Sequence, residues 1–219
     1  MSANSQRKKA LFKVIVLGKE RSGKTTLTDS YGYNRFVQKK YKCGIGADFL
    51  SKEELIDGRL VALQVWDTAG QERFQSLGVS FYRGTDIVLL AFDVTKEESF
   101  NEIESWYEEA KVQIEGRGDS MTYLLVGTKV DLPNRVIDYE RASALAKKLD
   151  LEYREVTATQ SESVRNLFVY AATRQLELWD ALKPPPVELP KPQQSNSAMK
   201  WVALSLIAAA ASVIAYKMI

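Results

Sequence analysis

Apolar and polar positions along this chain fall into alternating strand-like and helix-like stretches. Leu11-Phe12-Lys13-Val14-Ile15-Val16-Leu17 is a nearly continuous apolar run, as expected of a strand buried on both faces. A helix is expected from Lys24 to about Tyr33. Two strand-like stretches follow, Phe49 to Ile56 and Leu60 to Trp66, separated by Asp57-Gly58, a strong hairpin signal between such runs. Further strands are expected at Ile87–Phe92, Tyr123–Gly127 and Glu152–Val156. Helical patterns lie near Ser99 to Ile114, Asp138 to Leu149 and Val164 to Leu182. The pattern predicts an α/β fold: a six-stranded, mainly parallel sheet with one antiparallel hairpin and helices on both faces. Ligands of such sheets bind beyond the carboxyl ends of the strands.

At the first of those ends, Gly18-Lys19-Glu20-Arg21-Ser22-Gly23-Lys24-Thr25 matches the phosphate-loop pattern G-x-x-x-x-G-K-[ST] between a strand and a helix. Backbone N–H groups of Gly18, Glu20, Arg21, Ser22 and Gly23 are expected to converge on phosphate oxygens, aided by the positive end of the helix that runs on through Thr26. Lys24 is expected at the β- and γ-phosphates and Thr25 on Mg²⁺. Trp66-Asp67-Thr68-Ala69-Gly70-Gln71 follows the third strand. There Asp67 is a water-mediated anchor for Mg²⁺, Gly70 offers an N–H to the γ-phosphate and Gln71 orients the attacking water. Gly127-Thr128-Lys129-Val130-Asp131 follows the fifth strand and Thr157-Ala158-Thr159 the sixth. Asp131 can accept from two adjacent donors, which guanine offers on one edge and adenine does not, and the Lys129 stem can cover the base. These two residues speak against an ATPase.

Composition narrows the chemistry. The 219 residues hold no histidine, one cysteine and a net charge of +2. Imidazole catalysis, histidine metal sites and an internal disulfide are excluded, and no broad nucleic-acid face is expected. The sequence divides into a basic tail (1–9), a nucleotide-binding domain (10–183), a proline-rich linker (184–199) and an apolar segment (200–217). From Trp201 to Tyr216 every residue is apolar or small, between Lys200 and Lys217. As a helix it covers roughly 24 Å of a hydrocarbon core about 30 Å thick, a gap that snorkelling lysines and the terminal Trp and Tyr can close. A single transmembrane anchor is therefore expected, with the linker as spacer.

The stretches Trp66 to Gly84, Ile45-Gly46-Ala47-Asp48-Phe49 and Ala91-Phe92-Asp93-Val94-Thr95 resemble the Rab family of small GTPases, and their wording is most like that of the late-endosome and lysosome subgroup. The resemblance covers about Ala10 to Leu182. It implies a GTP/GDP switch that hydrolyses GTP with Mg²⁺, recruits effectors in membrane trafficking, and answers to an exchange factor and an activating protein. By the same resemblance Phe36 packs on guanine and Ala158 offers its N–H to the base oxygen. Phe49, Trp66 and Tyr82 match the aromatic triad shown to effectors.

The chain departs from the family pattern in several places. Gly44 stands where a threonine ligates Mg²⁺ in the GTP state, with one extra residue between Phe36 and Gly44. Losing such a contact weakens the ordered state by about 1.5–3 kcal/mol. Glu20 and Arg21 replace small residues of the phosphate loop, so hydrolysis is expected to be slow. Thr128 and Thr157 replace asparagine and serine. No C-terminal cysteine is available for prenylation. The short, alanine-rich span between lysines is compatible with the mitochondrial outer membrane or the endoplasmic reticulum, while the resemblance implies endosomes or lysosomes, in each case with the nucleotide domain facing the cytosol. Two readings stand at this point: a working, slow switch, and a permanently anchored scaffold that binds guanine nucleotide but scarcely hydrolyses it.

Overall fold

In the computed structural model, residues 9–36, 48–67, 79–114 and 120–182 are described. Strands β1 (Ala10–Leu17), β2 (Asp48–Ile56), β3 (Arg59–Asp67), β4 (Ile87–Asp93), β5 (Thr122–Thr128) and β6 (Glu152–Val156) form one sheet in the order β2-β3-β1-β4-β5-β6. Only β2 pairs antiparallel, in register from Asp48↔Asp67 to Ile56↔Arg59. Its turn holds Asp57 at φ 48° and Gly58 at φ 71°, the left-handed pair that a tight, twist-compatible hairpin requires. β4 lies fourth in the order and all seven of its residues are buried, which accounts for its unbroken apolar sequence.

Helices cover both faces. On one side α1 (Lys24–Tyr33) and α6 (Ser161–Ala181) pack Leu27, Tyr31, Phe168 and Ala172 onto Val14, Val16, Leu63 and Leu89. Tyr31 and Phe168 stack with centroids 4.1 Å apart, tying α1 to α6. On the other side Ile103 and Ala110 of α4 (Ile103–Gln113) and Ala142 and Ala146 of α5 (Tyr139–Lys148) lie against Ile15, Leu17, Val88 and Leu90. Helix α5 opens on Asp138, whose carboxylate accepts from the Arg141 N–H at 2.7 Å, and closes on Lys147 and Lys148, so both ends suit the helix dipole.

The structure refines three boundaries. The helix expected from about Ser99 to Ile114 is two, α3 (Glu97–Asn101) and α4, parted at Glu102, which stays right-handed at φ −85°, ψ −7° but turns tightly, its N–H on the Phe100 carbonyl, and whose carboxylate pairs with Lys19. Helix α6 begins at Ser161, earlier than Val164, because its first turn is polar and carries little apolar signal. A four-residue helix, α2 (Val79–Tyr82), was not expected from the sequence. Among the described residues no helix is long and apolar enough to cross a membrane; Trp201 to Tyr216 and the linker lie outside them.

Candidate functional site

Five chain segments meet where β1, β3, β4, β5 and β6 end. The phosphate loop leaves β1 at Gly18, whose φ of 140° a side chain rarely adopts, and a Cβ there would overlap the Ala91 carbonyl oxygen. Gly23 has φ 97° and starts α1 with no side-chain cap, so the first N–H groups of the helix remain for an anion. Lys24 is only 4% exposed. Its Nζ donates to the carbonyl oxygens of Gly18 (2.6 Å) and Lys19 (2.9 Å), folding the ammonium over the loop. The Ser22 hydroxyl is buried with no hydrogen-bond partner. A loop with a bare helix start, a buried ammonium and an unused buried hydroxyl fits phosphate oxygens.

Thr25 is half-buried in the first turn of α1, followed by Thr26. Asp67, 1% exposed, closes β3 opposite Val16, one strand away from the loop. A hydroxyl and one carboxylate are the sparse protein set with which Mg²⁺ is held when phosphates supply further oxygens.

Next to the loop lies a cavity of about 280 Å³ lined by Gly23, Thr26, Phe36, Lys129, Asp131 and Ala158, among others. Phe36 is 43% exposed at its edge. Asp131 accepts from the Thr157 hydroxyl at 2.6 Å, and that hydroxyl lies 2.7 Å from Thr159 Oγ1. Thr128, the departure from asparagine, is buried, and its Oγ1 lies within hydrogen-bond reach of the carbonyls of Ser22 (2.5 Å) and Phe92 (2.9 Å), to either of which its single proton can be given. One hydroxyl therefore ties the base-binding segment to the phosphate loop. Lys129 sits at φ 60°, with Nζ donating to the Arg21 carbonyl (2.8 Å) and to Asp93 Oδ2 (2.6 Å).

Asp93 was not among the residues expected from sequence. Burial alone would raise its carboxyl, but hydrogen bonds from Lys129 and Thr95 outweigh burial and hold it below the usual carboxylate range. It lies in the stretch Ala91 to Thr95 that carries the family resemblance, which assigned it no role; that role emerges because β4 and β5 end side by side, with Asp93 paired to Thr128.

The atypical loop residues find partners close by. Glu20, its side chain 17% exposed, lies 3.8 Å from the Arg21 guanidinium. Arg21 takes the left-handed conformation at φ 64°. Lys19 turns away to Glu102, with Glu98 at 3.6 Å. Thus Glu20 stays at the loop and is not turned out into solvent.

Of the expected effector triad, Phe49 (52% exposed) and Trp66 meet edge to face at 5.2 Å. Tyr82 is buried, and its hydroxyl donates to Glu109 at 2.9 Å. Burial, then that hydrogen bond, pushes the phenol up. Trp66 also meets the buried Phe81 edge to face, at 6.3 Å and 88°, and Lys13 Nζ lies over both rings (4.8 and 5.5 Å). Gly70, Gln71 and Gly44 lie outside the described residues.

Comparison with known proteins agrees with this geometry. The Ras family profile matches residues 13–177. The chain is 46% identical over 176 residues to the Ras-related protein Rab7 of Drosophila melanogaster, spanning 80% of this chain and 84% of the relative. It is 41% identical over 198 residues to the Ras-related protein Rab-7a of Dictyostelium discoideum, covering 87% and 97%. With the Ypt/Rab-type GTPase ypt7 of Schizosaccharomyces pombe it shares 42% over 179 residues, covering 80% and 87%. The chain belongs to the Ras family of small GTPases, in its Rab branch, and as a member it binds GTP and GDP with Mg²⁺ and hydrolyses GTP to GDP.

Proposed function

We propose that this chain is a slow, membrane-held Rab-type switch that recruits effectors in vesicle trafficking. The observation that supports it best is the pairing of the phosphate loop with a separate base cavity, joined through the Thr128 hydroxyl and the Lys129 ammonium. In this reading the loop N–H groups and Lys24 hold the β- and γ-phosphates, while Asp131 and the Ala158 N–H select guanine. Thr25 and Asp67 hold Mg²⁺, which when bound neutralises charge on the phosphate oxygens. Gln71 orients the attacking water, and Gly70 donates to the γ-phosphate.

Glu20 is the reason for slowness. A carboxylate kept at the loop repels the triphosphate, and Arg21 offsets that charge only in part, since the pair is 3.8 Å apart and Arg21 is mostly exposed. Without the hydroxyl that Gly44 lacks, the GTP state is less ordered. Phe49, Trp66 and Tyr82 are the effector triad of this reading, with Phe49 the most exposed of the three and the Tyr82 hydroxyl held by Glu109. The segment 200–217 anchors the protein in the membrane in both nucleotide states, and endosome or lysosome is the favoured address on the strength of the Rab7 and ypt7 relatives.

The test is nucleotide competition on the full-length protein in detergent with and without Mg²⁺. GDP and GTP are expected to bind at least about a hundredfold tighter than ADP and ATP, a gap of about 2.7 kcal/mol. Equal affinity for guanine and adenine nucleotides contradicts the reading.

A further inference from the structure

We infer that the ion pair between Arg135 and Glu155 is a positioning element for guanine selectivity, because it sets the separation of the two loops that carry Asp131 and Thr157. This rests on reading the cavity beside the phosphate loop as the guanine pocket. Asp131 and the three residues after it are exposed, so packing does little to fix the loop that presents the carboxylate. The loop is held by other means. Leu132 N–H donates to the Lys129 carbonyl (3.1 Å), and the N–H groups of Val136 and Ile137 share the Val94 carbonyl (2.9 Å each).

Arg135, four residues past Asp131, grips Glu155 with both arms of its guanidinium, Nη1 to Oε1 and Nη2 to Oε2, each 2.8 Å. Glu155 stands two residues before Thr157, whose hydroxyl donates to Asp131. The pair therefore closes a ring: Asp131, Arg135, Glu155, Thr157 and back to Asp131. A planar guanidinium fork fixes orientation as well as distance, which a single point charge does not. The carboxylate is steadied from its other side by the Tyr153 hydroxyl, donating to Oε1 at 2.8 Å. Space for that hydroxyl exists because residue 127 is glycine; a Cβ there would overlap it. Both charged side chains are mostly sheltered, at 29% and 24% exposure, so salt screens them only in part.

An acceptor that must meet two donors on one base edge tolerates little drift. Loosening the ring should cost the contact to the exocyclic amine of guanine more than the contacts to ribose and phosphate. Inosine diphosphate lacks that amine and reports the difference.

The experiment measures the affinity of the full-length protein for GDP and IDP in Arg135→Ala, Arg135→Lys, Glu155→Gln and the Arg135→Ala/Glu155→Gln double variant, with urea unfolding midpoints alongside. Each single variant is expected to weaken GDP by roughly tenfold and IDP by under about threefold, with no further loss in the double. Arg135→Lys should behave like the alanine variant. Parallel weakening of GDP and IDP, or no change in either, overturns the inference, since a general loss of structure affects both nucleotides alike. Should the charge-removing variants fail to fold, Tyr153→Phe, which leaves the charges in place, must shift the GDP-to-IDP ratio in the same direction, and an unchanged ratio overturns the inference. If the unaltered protein binds GDP no better than ADP, the guanine reading itself falls and the inference with it.

Discussion

At Gly18 and Gly58 the same substitution meets different surroundings. Both glycines hold positive φ, but a methyl group at Gly58 touches nothing within 4 Å, whereas at Gly18 it overlaps the backbone oxygen of Ala91. Gly58→Ala should cost about 1 kcal/mol, the ordinary penalty of a left-handed alanine. Gly18→Ala should cost about 3 kcal/mol or more, because β1 and β4 cannot separate without breaking their ladder. Urea midpoints compare the two, and equal losses would show that the loop accommodates a side chain. The chemistry of this loop was legible in sequence because its spacing is tied to a backbone shape. Asp93 and the Arg135–Glu155 pair were not, since each becomes a neighbour of the base segment only through strand pairing.

Elements act on the site chiefly through α1, whose first turn holds Lys24 and Thr25 and whose far end stacks Tyr31 on Phe168 of α6. Phe168→Ala removes a large ring that is 1% exposed and should lower stability by about 4 kcal/mol. Because the loss releases α1 and not the loop itself, saturating GDP should recover part of it by mass action. A melting temperature that GDP does not raise would contradict this coupling. Most elements could be read from periodicity, including the hairpin at Asp57-Gly58. The break at Glu102 could not, because the apolar pattern runs on through it from Phe100 to Ile103 and the turn there changes only the backbone hydrogen bonding.

For the whole molecule, two features of the sequence carry the proposal: Glu20 in the phosphate loop and the apolar segment 200–217. If segment 200–217 spans the bilayer, the protein should stay in the membrane pellet after alkaline carbonate extraction, and a version ending at Lys183 should be released; extraction of the full chain would sink the anchor. The central claim, that the site is a working though slow GTPase, is tested most directly by single-turnover hydrolysis of Mg²⁺·GTP on the full-length protein. The account predicts a slow single-exponential conversion to GDP that Gln71→Leu stops and Glu20→Ser speeds by about tenfold, roughly 1.4 kcal/mol of barrier. GTP that stays bound and uncleaved, with Glu20→Ser no faster, would contradict it and leave an anchored scaffold built on a Rab fold.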